Sequence, residues 1–587
     1  MAKPEANSNP HIRFAVDEPP PLGLSAIVAA QTVVLILAGI ALTPIIIGRT
    51  AGVAPDWLIF AALLVCGVCT ILQARPLAIF GCGYVLFMGS NSAYLGVSAD
   101  AIALGGLPLM LTLITVSGPA QILFSLRLGQ LREIITPAVG GVVVMLIAVS
   151  IVPIAFGLMT KPIPEVQLVG QQAAAAATFL PIVLLILFAD TKLRLWAPIG
   201  GVLIGSVTAA AFGMVKLGPV LAAPWIGLPT QSHPGFDLSF GASFWTMLPA
   251  FVLVTVVGGI ETFGDAVAVQ KVSRRQDKAI DFRAVQGAIN ADGLGNTLSG
   301  LAGTVPNTVY STSVAVVDIT GIASRAIGLF GGLFLILLAF SPKVAALLSA
   351  IPSPVAGAYI FVLLILLFSH GLKLATEEGV TFAEGFAICT AFWVGVAVQN
   401  KLIFYESLPA WFNTIFGNGT TAGGATAILL MLLLRLGGGR RRRLRLDLDQ
   451  PDASARLQAF IREAGERGRW EAMSVARLVL VADAALEALR LQRVPGKGGP
   501  VTVTLQADRH DVQIELVAKP LARNLGDAIA AIGKPGAEAP PDYLETLSGL
   551  AESVEHRQFQ GQDYLLVRVP VGGFDRLVPE AVRSGES

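Results

Sequence analysis

For most of its length the chain alternates long apolar runs with short polar connections, and near residue 438 its character changes. Apolar segments fall at roughly 24–48, 56–73, 78–99, 103–126, 136–158, 173–189 and 197–215. A second set follows at about 244–268, 284–302, 306–321, 326–341, 352–371, 380–399 and 404–436. Several come near the ~20 residues a helix needs to cross the hydrocarbon core. The third and tenth are short or interrupted by polar residues. Residues 303–321, around the tenth, carry Pro306, two β-branched runs and several hydroxyls, which suits a short extended piece leading into a short helix. The pattern predicts fourteen spans in two groups of seven, about 23–217 and 244–436, within a transmembrane domain of 23–437.

Either side of that domain the pattern is different. Residues 1–22 form a polar tail ending in VDEPPPLG, without the n-region, h-region and cleavage site of a secretory leader. A basic linker, 438–450, contains the run Arg440–Arg443. Residues 451–587 read as a small soluble α+β domain. Helical stretches near 452–467 and 474–492 precede the strand-like VTVTLQA and VQIELVA, with turn residues at 508–510 between them. A helix near 541–555 then leads into the strand-like QDYLLVRVPV.

Composition agrees with the apolar pattern. The chain of 587 residues is 54% hydrophobic and 14% charged, with a mean hydropathy of +0.70. A soluble protein carries about a quarter charged residues, so the fold class is an all-α polytopic membrane protein with a soluble α+β appendage. A net charge of +1 gives no electrostatic signal for nucleic acid, and the arginine run after the last span suits anionic headgroups. All four cysteines sit in apolar runs, so the C-x-x-C of Cys66 and Cys69 reads as core packing with no metal role.

Loop charge orients the segments. With a cytoplasmic N-terminus the inner loops hold twelve basic residues, five of them Lys271, Arg274, Arg275, Lys278 and Arg283. The outer loops hold five: Arg49, Lys161, Lys216, Lys343 and Lys401. Both ends are therefore expected in the cytoplasm, with the chain in the cell (inner) membrane. Internal similarity adds a 7+7 repeat: Pro137-Ala138-Val139-Gly140-Gly141 recurs as Pro354-Val355-Ala356-Gly357-Ala358, and SNSAYLGV as STSVAVVD. A repeat of seven spans must be inverted across the membrane.

Candidate chemistry concentrates between Val256 and Gly321. Glu261 and Asp265, four residues apart in an apolar helical run, share one helix face. An ionisable group at membrane depth costs a few kcal/mol and by default marks a functional site. A broken element facing such a group is how many secondary transporters build a midplane site. No nucleophile–base constellation and no phosphate loop is present in the sequence, so an enzyme is not expected.

These stretches resemble the nucleobase–ascorbate transporter family, the nucleobase:cation symporter type two group. The likeness covers most of 15–436 and rests on VDEPPPLG, AAQTVVLILAGIALTPIII, GGIETFGDAVAVQ, NADGLGNTLSGLAGTVPNTVYS and ITGIASRAIG. It implies a core domain moving against a gate domain in elevator-type alternating access, spans three and ten that are half strand and half helix, and a homodimer. It also implies import of a nucleobase, either a purine such as xanthine or urate, or uracil. The coupling ion would be H+, with Na+ as the other candidate, and no cofactor is implied.

Position by position, Glu261 matches the eighth-span carboxylate that bonds the base, while Asp265 and Asp292 match acidic residues that support proton coupling. Tyr310, Thr312 and Ser313 fall at tenth-span contacts, and Ser92 or Tyr94 where span three offers a ring. Gln31 matches the first-span amide. The sequence departs from the family at Thr312, Ser313 and Ala315, where Gln-Asn or Glu-Asn and then Gly are usual, and at Thr32, where His is usual.

Two other readings stand beside this one. An anion transporter of the sulfate-permease type shares the fold, but a fixed carboxylate at its site would repel the cargo. A membrane sensor is the other, because residues 476–517 weakly resemble a degenerate histidine-kinase-type ATPase core, without the Asn that would hold a magnesium nucleotide.

Overall fold

The computed structural model describes residues 11–127, 136–164, 166–276, 278–376, 380–402, 418–436, 442–492, 499–507, 511–519, 541–559, 561–570 and five single positions between 521 and 528. The chain divides into two compact units: Met1–Arg275 with Ala284–Leu433, and Gln276–Arg283 with Leu434–Ser587. The start of the fourteenth expected span, 403–417, and the expected turn at 508–510 lie outside the described residues.

In the first unit the apolar runs become helices, because hydrocarbon offers backbone groups no partner other than the helix itself. They are α1 (Leu22–Ala51), α2 (Asp56–Ala74), α3 (Leu95–Leu126), α4 (Pro137–Thr160), α5 (Leu168–Phe188) and α6 (Ala197–Ala211). After these come α7 (Ala242–Val272), α8 (Phe282–Ala302), α9 (Thr312–Thr320), α10 (Arg325–Ala339), α11 (Pro342–Ser349), α12 (Ser353–Thr376), α13 (Phe382–Gln399) and α14 (Gly419–Leu436). Helix starts carry the expected chemistry. Thr136 caps α4 just before Pro137, and Thr381 with Glu384 forms a capping box on α13.

Among the described residues eight helices are long and apolar enough to cross a bilayer, or nine if α10 and α11, bent by 83°, form one span. The remaining expected segments are shorter or more polar. Two of them are the broken ones. Strands β1 (Met88–Ser90) and β2 (Asn307–Val309) pair antiparallel, Gly89 opposite Thr308, and each leads into helix: a turn of 3-10 helix (Ser92–Tyr94) before α3, and α9. The two strands satisfy each other's backbone groups where no helix exists. α3 is itself interrupted at Gly105 and Gly106, the latter at φ +71°, which only glycine adopts freely.

The helices pack in two groups. α1, α2 and α7 contact the strand pair, with α3 packed on α7 and α10 on α2, while α4, α5, α6, α12 and α13 pack on one another. Small residues set the closest approaches. A Cβ on Gly141 of α4 would lie 2.5 Å from the Gly371 carbonyl of α12, and one on Gly357 of α12 would lie 2.7 Å from the Ala155 carbonyl of α4. Each copy of the recurrent Pro/Gly stretch thus sits at one end of the same helix–helix seam.

The N-terminal tail is built into this unit. The Arg13 and Phe14 amides donate to the Gly321 carbonyl, and the Ala323 and Arg325 amides donate back to Phe14 and Val16. Asp17 pairs with Arg325 at 3.0 Å and Glu18 with Arg275 at 2.6 Å. The hydrogen bond from Arg275 holds the Glu18 carboxyl below its ordinary range. VDEPPPLG and ITGIASR, 300 residues apart in the sequence, are therefore two sides of one junction.

In the second unit five antiparallel strands lie in the order β3-β4-β5-β7-β6: β3 (Arg442–Leu446), β4 (Val501–Ala507), β5 (Asp511–Ala518), β6 (Ser553–Gln558) and β7 (Asp563–Pro570). Alternating Val501, Val503 and Leu505, with Val512, Ile514 and Leu516, bury one sheet face. α15 (Ala453–Gly468), α16 (Ala472–Leu491) and α17 (Asp542–Leu550) contribute Leu457, Ile461, Leu478 and Leu547 to that core. The stretch read from sequence as a basic linker carries the edge strand β3, in which Arg443 and Arg445 are exposed, Leu444 is half-buried and Leu446 is buried.

Candidate functional site

α7 is apolar up to Gly258 and Gly259, then presents Glu261, Thr262 and Asp265 within five residues. Those three side chains meet different surroundings. Glu261 is half-buried and has no hydrogen bond or ion pair among the described residues. Three residues on, a Cβ at Gly264 would meet nothing within 4 Å, so this face of α7 borders open space. Asp265 is 9% exposed, lies beside the Ser311 hydroxyl at the start of α9, and keeps Oδ2 buried without a hydrogen bond. His370 of α12 and Tyr310 lie within electrostatic reach of these carboxylates.

Asp292, on α8, is 1% exposed and fully engaged on one oxygen. Its Oδ2 accepts from Thr262 Oγ1 at 2.7 Å and from Gln121 Nε2 of α3 at 2.7 Å. Gln121 Oε1 in turn accepts from Asn296 Nδ2 at 2.9 Å, and Asn296 Oδ1 accepts from the Asn307 amide of β2 at 2.9 Å. A continuous chain of hydrogen bonds therefore runs from α7 through α3 and α8 to the broken strand. α3 and α8 come this close through Gly118 and Gly293: a Cβ on Gly293 would lie 3.0 Å from the Gly118 carbonyl.

The hydroxyls of the two broken elements divide into committed and free. Ser313 is fully buried; its Oγ accepts from the Phe87 amide at 2.8 Å and donates to the Tyr310 carbonyl at 2.7 Å. Tyr310 donates to the Ser90 carbonyl at 2.9 Å, with its ring laid over Gly89, where a Cβ would lie 2.2 Å from it, and close to Gly39. Tyr94 is 1% exposed, its hydroxyl 2.6 Å from Thr255 Oγ1 and its ring against Phe251. Ser92 and Thr312 are half-buried at the starts of the two short helices, and Gln31 is exposed on α1.

Among the described residues no group of three or more His, Cys, Asp or Glu side chains is placed to hold a metal ion. What the arrangement offers is one unpartnered carboxylate, a second beside a hydroxyl, and a third locked into the scaffold.

Residues 24–404 match the xanthine/uracil permease model, described as a permease family. The chain belongs to that family. It is a family of transporters, not enzymes. The nucleobase transporter PlUacP of Paenibacillus larvae is 28% identical over 407 residues, 68% of this chain and 92% of its own. The xanthine permease XanP of Escherichia coli K12 is 25% identical over 447 residues, 73% of this chain and 96% of its own. Among solved structures, the transmembrane domain of the cyanobacterial bicarbonate transporter BicA aligns with a TM-score of 0.46 at 15% identity, covering 66% of this chain and 99% of that one.

As a permease the chain is a multi-pass membrane protein, and several groups around its carboxylates escaped the sequence reading. Gln121, Thr262, Asn296 and Asn307 form the Asp292 network, and Ser311 is the hydroxyl nearest Asp265. A usable signal existed for some of them: Gln121 is a polar residue inside an otherwise apolar span, and such residues face the bundle interior.

Proposed function

We propose that this permease is a secondary active symporter that moves a nucleobase (a purine such as xanthine or urate, or uracil) with protons. The observation that carries this reading is Glu261, an unpartnered, half-buried carboxylate on an apolar helix that borders open space. A nucleobase presents ring N–H donors beside carbonyl acceptors, and an ionised Glu261 accepts from such a donor in a charge-assisted bond. Ser92 and Thr312, at the starts of the two short helices, and the backbone N–H groups there supply donors for the ring carbonyls.

When protonated, Glu261 keeps a carbonyl acceptor for the ring N–H and gains an O–H donor for the adjacent ring carbonyl, so proton and cargo are carried together at one side chain. Asp265 and Asp292 support the coupling: the first shares the field of Glu261, and the second ties α7 to the broken strand. Three carboxylates in one region disfavour a dianionic cargo such as sulfate, which supports the nucleobase reading over a sulfate-type one. Ser313 and Tyr94 act as scaffold in this scheme, since their hydroxyls are already committed. We further assign fourteen spans as a 7+7 inverted repeat, elevator-type motion between the two helix groups, both termini in the cytoplasm, placement in the inner membrane, and a homodimer.

Proteoliposomes holding the full chain test this. An inward proton gradient should drive accumulation of labelled xanthine, urate or uracil, and unlabelled competitors should rank the bases. Uptake driven equally by a Na+ gradient alone would replace the proton by sodium. No uptake of any base under either gradient would reject the assignment.

A further inference from the structure

Residues 212–241 join α6 to α7, and they are not polar along their length. From Leu217 they read LGPVLAAPWIGLP, where Pro224 follows the one helical turn, Gly218–Ala222, and the chain cannot continue as helix. Leu221, Trp225 and Ile226 are 76%, 72% and 85% exposed, and Leu217 and Leu228 are more than half exposed. So much apolar surface gathered in one short stretch is unfavourable against water and marks a place that something apolar covers.

The stretch is held in place. The Gly227 amide donates to the Phe340 carbonyl at 2.9 Å and the Lys343 amide to the Pro224 carbonyl at 3.0 Å. The Lys343 ammonium lies 4.9 Å from the centroid of the Trp225 ring. These contacts fix it to the corner between α10 and α11. α10 packs along the spanning helix α2, and α11 turns away from it by 83°, as a helix does that leaves the bilayer and follows its surface.

α1 places this corner along the membrane normal. In its last turn, Arg49 donates to the Ser349 carbonyl at 3.4 Å and the Ile351 carbonyl at 2.7 Å, at the far end of α11. α1 has 30 residues. At 1.5 Å per residue that is about 45 Å, the thickness of a bilayer with its headgroups. The corner and the stretch bound to it therefore lie at a membrane boundary.

The same surface is continuous with lipid. Leu333, Leu337 and Phe340 form one exposed apolar row on α10, and on a permease helix such a row faces acyl chains. Phe340, at the end of the row, is the residue whose carbonyl holds Gly227, so apolar surface passes from the row onto Ile226. A second copy of the chain would also cover the patch, but it would bury the Lys343 ammonium, which is costly. An indole beside a lysine suits the headgroup level, where one end of each side chain is apolar and the other wet.

We propose that residues 217–228 form a phospholipid-binding wedge at the membrane boundary that the end of α1 reaches. Trp225 and Lys343 sit at headgroup level, and Leu221, Ile226 and Leu228 lie among the first acyl carbons. The wedge rests on the membrane class of the chain and is independent of the cargo.

The test uses the full chain in a Cys389→Ser background, whose other cysteines are buried. A nitroxide is attached through Ile226→Cys or, as a control in the same connection, through the exposed Ser232→Cys, and the protein is reconstituted into phosphatidylcholine–phosphatidylglycerol vesicles. Oxygen, which concentrates in lipid, should relax the label at position 226 more than a water-soluble nickel chelate does, and the order should reverse at position 232. Equal or stronger relaxation by nickel at position 226 overturns the wedge. Dipolar broadening at position 226 that vanishes on dilution with unlabelled protein assigns the patch to a second copy and also overturns it. Without any label, the rise in melting midpoint that added phospholipid gives the parent should shrink to about half or less in Trp225→Ala with Ile226→Ser. An equal rise in the variant, or none in either protein, overturns it as well.

Discussion

The two sides of α7 hold the same chemistry in opposite conditions. On one side Glu261 borders open space with no partner; on the other, Thr262 delivers Asp292 a hydrogen bond that continues through Gln121 and Asn296 to Asn307. At membrane depth an acidic group must be accounted for. Asp292 is held by protein through Oδ2, while its Oδ1 stays buried without a hydrogen bond, so it serves through one oxygen as a joint between α3, α7 and α8. Glu261 is not, and the missing partner is then supplied by a cargo, a proton or water.

Three substitutions sharpen or break that contrast. The largest effect is expected for Glu261→Gln, which keeps the shape and removes the charge. Loss of a charge-assisted hydrogen bond of about 1.5–3 kcal/mol predicts nucleobase uptake reduced by about 10- to 100-fold, with insertion and melting as in the parent. Parental uptake from this variant would show that Glu261 is as structural as Asp292.

Next comes Asp292→Ala, which strands Thr262 Oγ1 and Gln121 Nε2 in a buried place. Each unsatisfied group costs about 1–3 kcal/mol, so the melting midpoint of the purified protein should fall clearly, and Asp292→Asn, which retains an acceptor oxygen, should fall less. A variant that melts like the parent but has lost uptake would move Asp292 to the cargo side of the contrast. The smallest effect is expected for Tyr94→Phe. It removes one hydrogen bond to Thr255, worth about 1 kcal/mol of stability, and should leave the apparent affinity for substrate unchanged. A tenfold weaker affinity would mean that Tyr94 faces the cargo after all.

The contrast also marks where the sequence could be read and where it could not. Spacing alone put Glu261 and Asp265 on one face, and composition alone made residues 303–321 an extended piece followed by a short helix. Ser313 shows the limit. It and Ser311 are both hydroxyls at the start of α9, two positions apart, yet one is consumed by the Phe87 amide and the other faces Asp265. Nothing local distinguishes them, because the Phe87 amide is free to reach Ser313 only after β1 and β2 pair. The Asp292 network is unreadable for the same reason: Gln121 and Asp292 are 171 residues apart in the sequence.

By itself, then, the sequence determined the membrane class, most of the helices and the acidic pair on α7, because apolar length and helical period are local properties that hydrocarbon enforces residue by residue. Only the tertiary structure decided which acid is partnered, which hydroxyl is free, and that residues 276–283 belong with the C-terminal sheet. Those outcomes depend on which distant groups meet, and a buried polar group takes its role from the partner it finds.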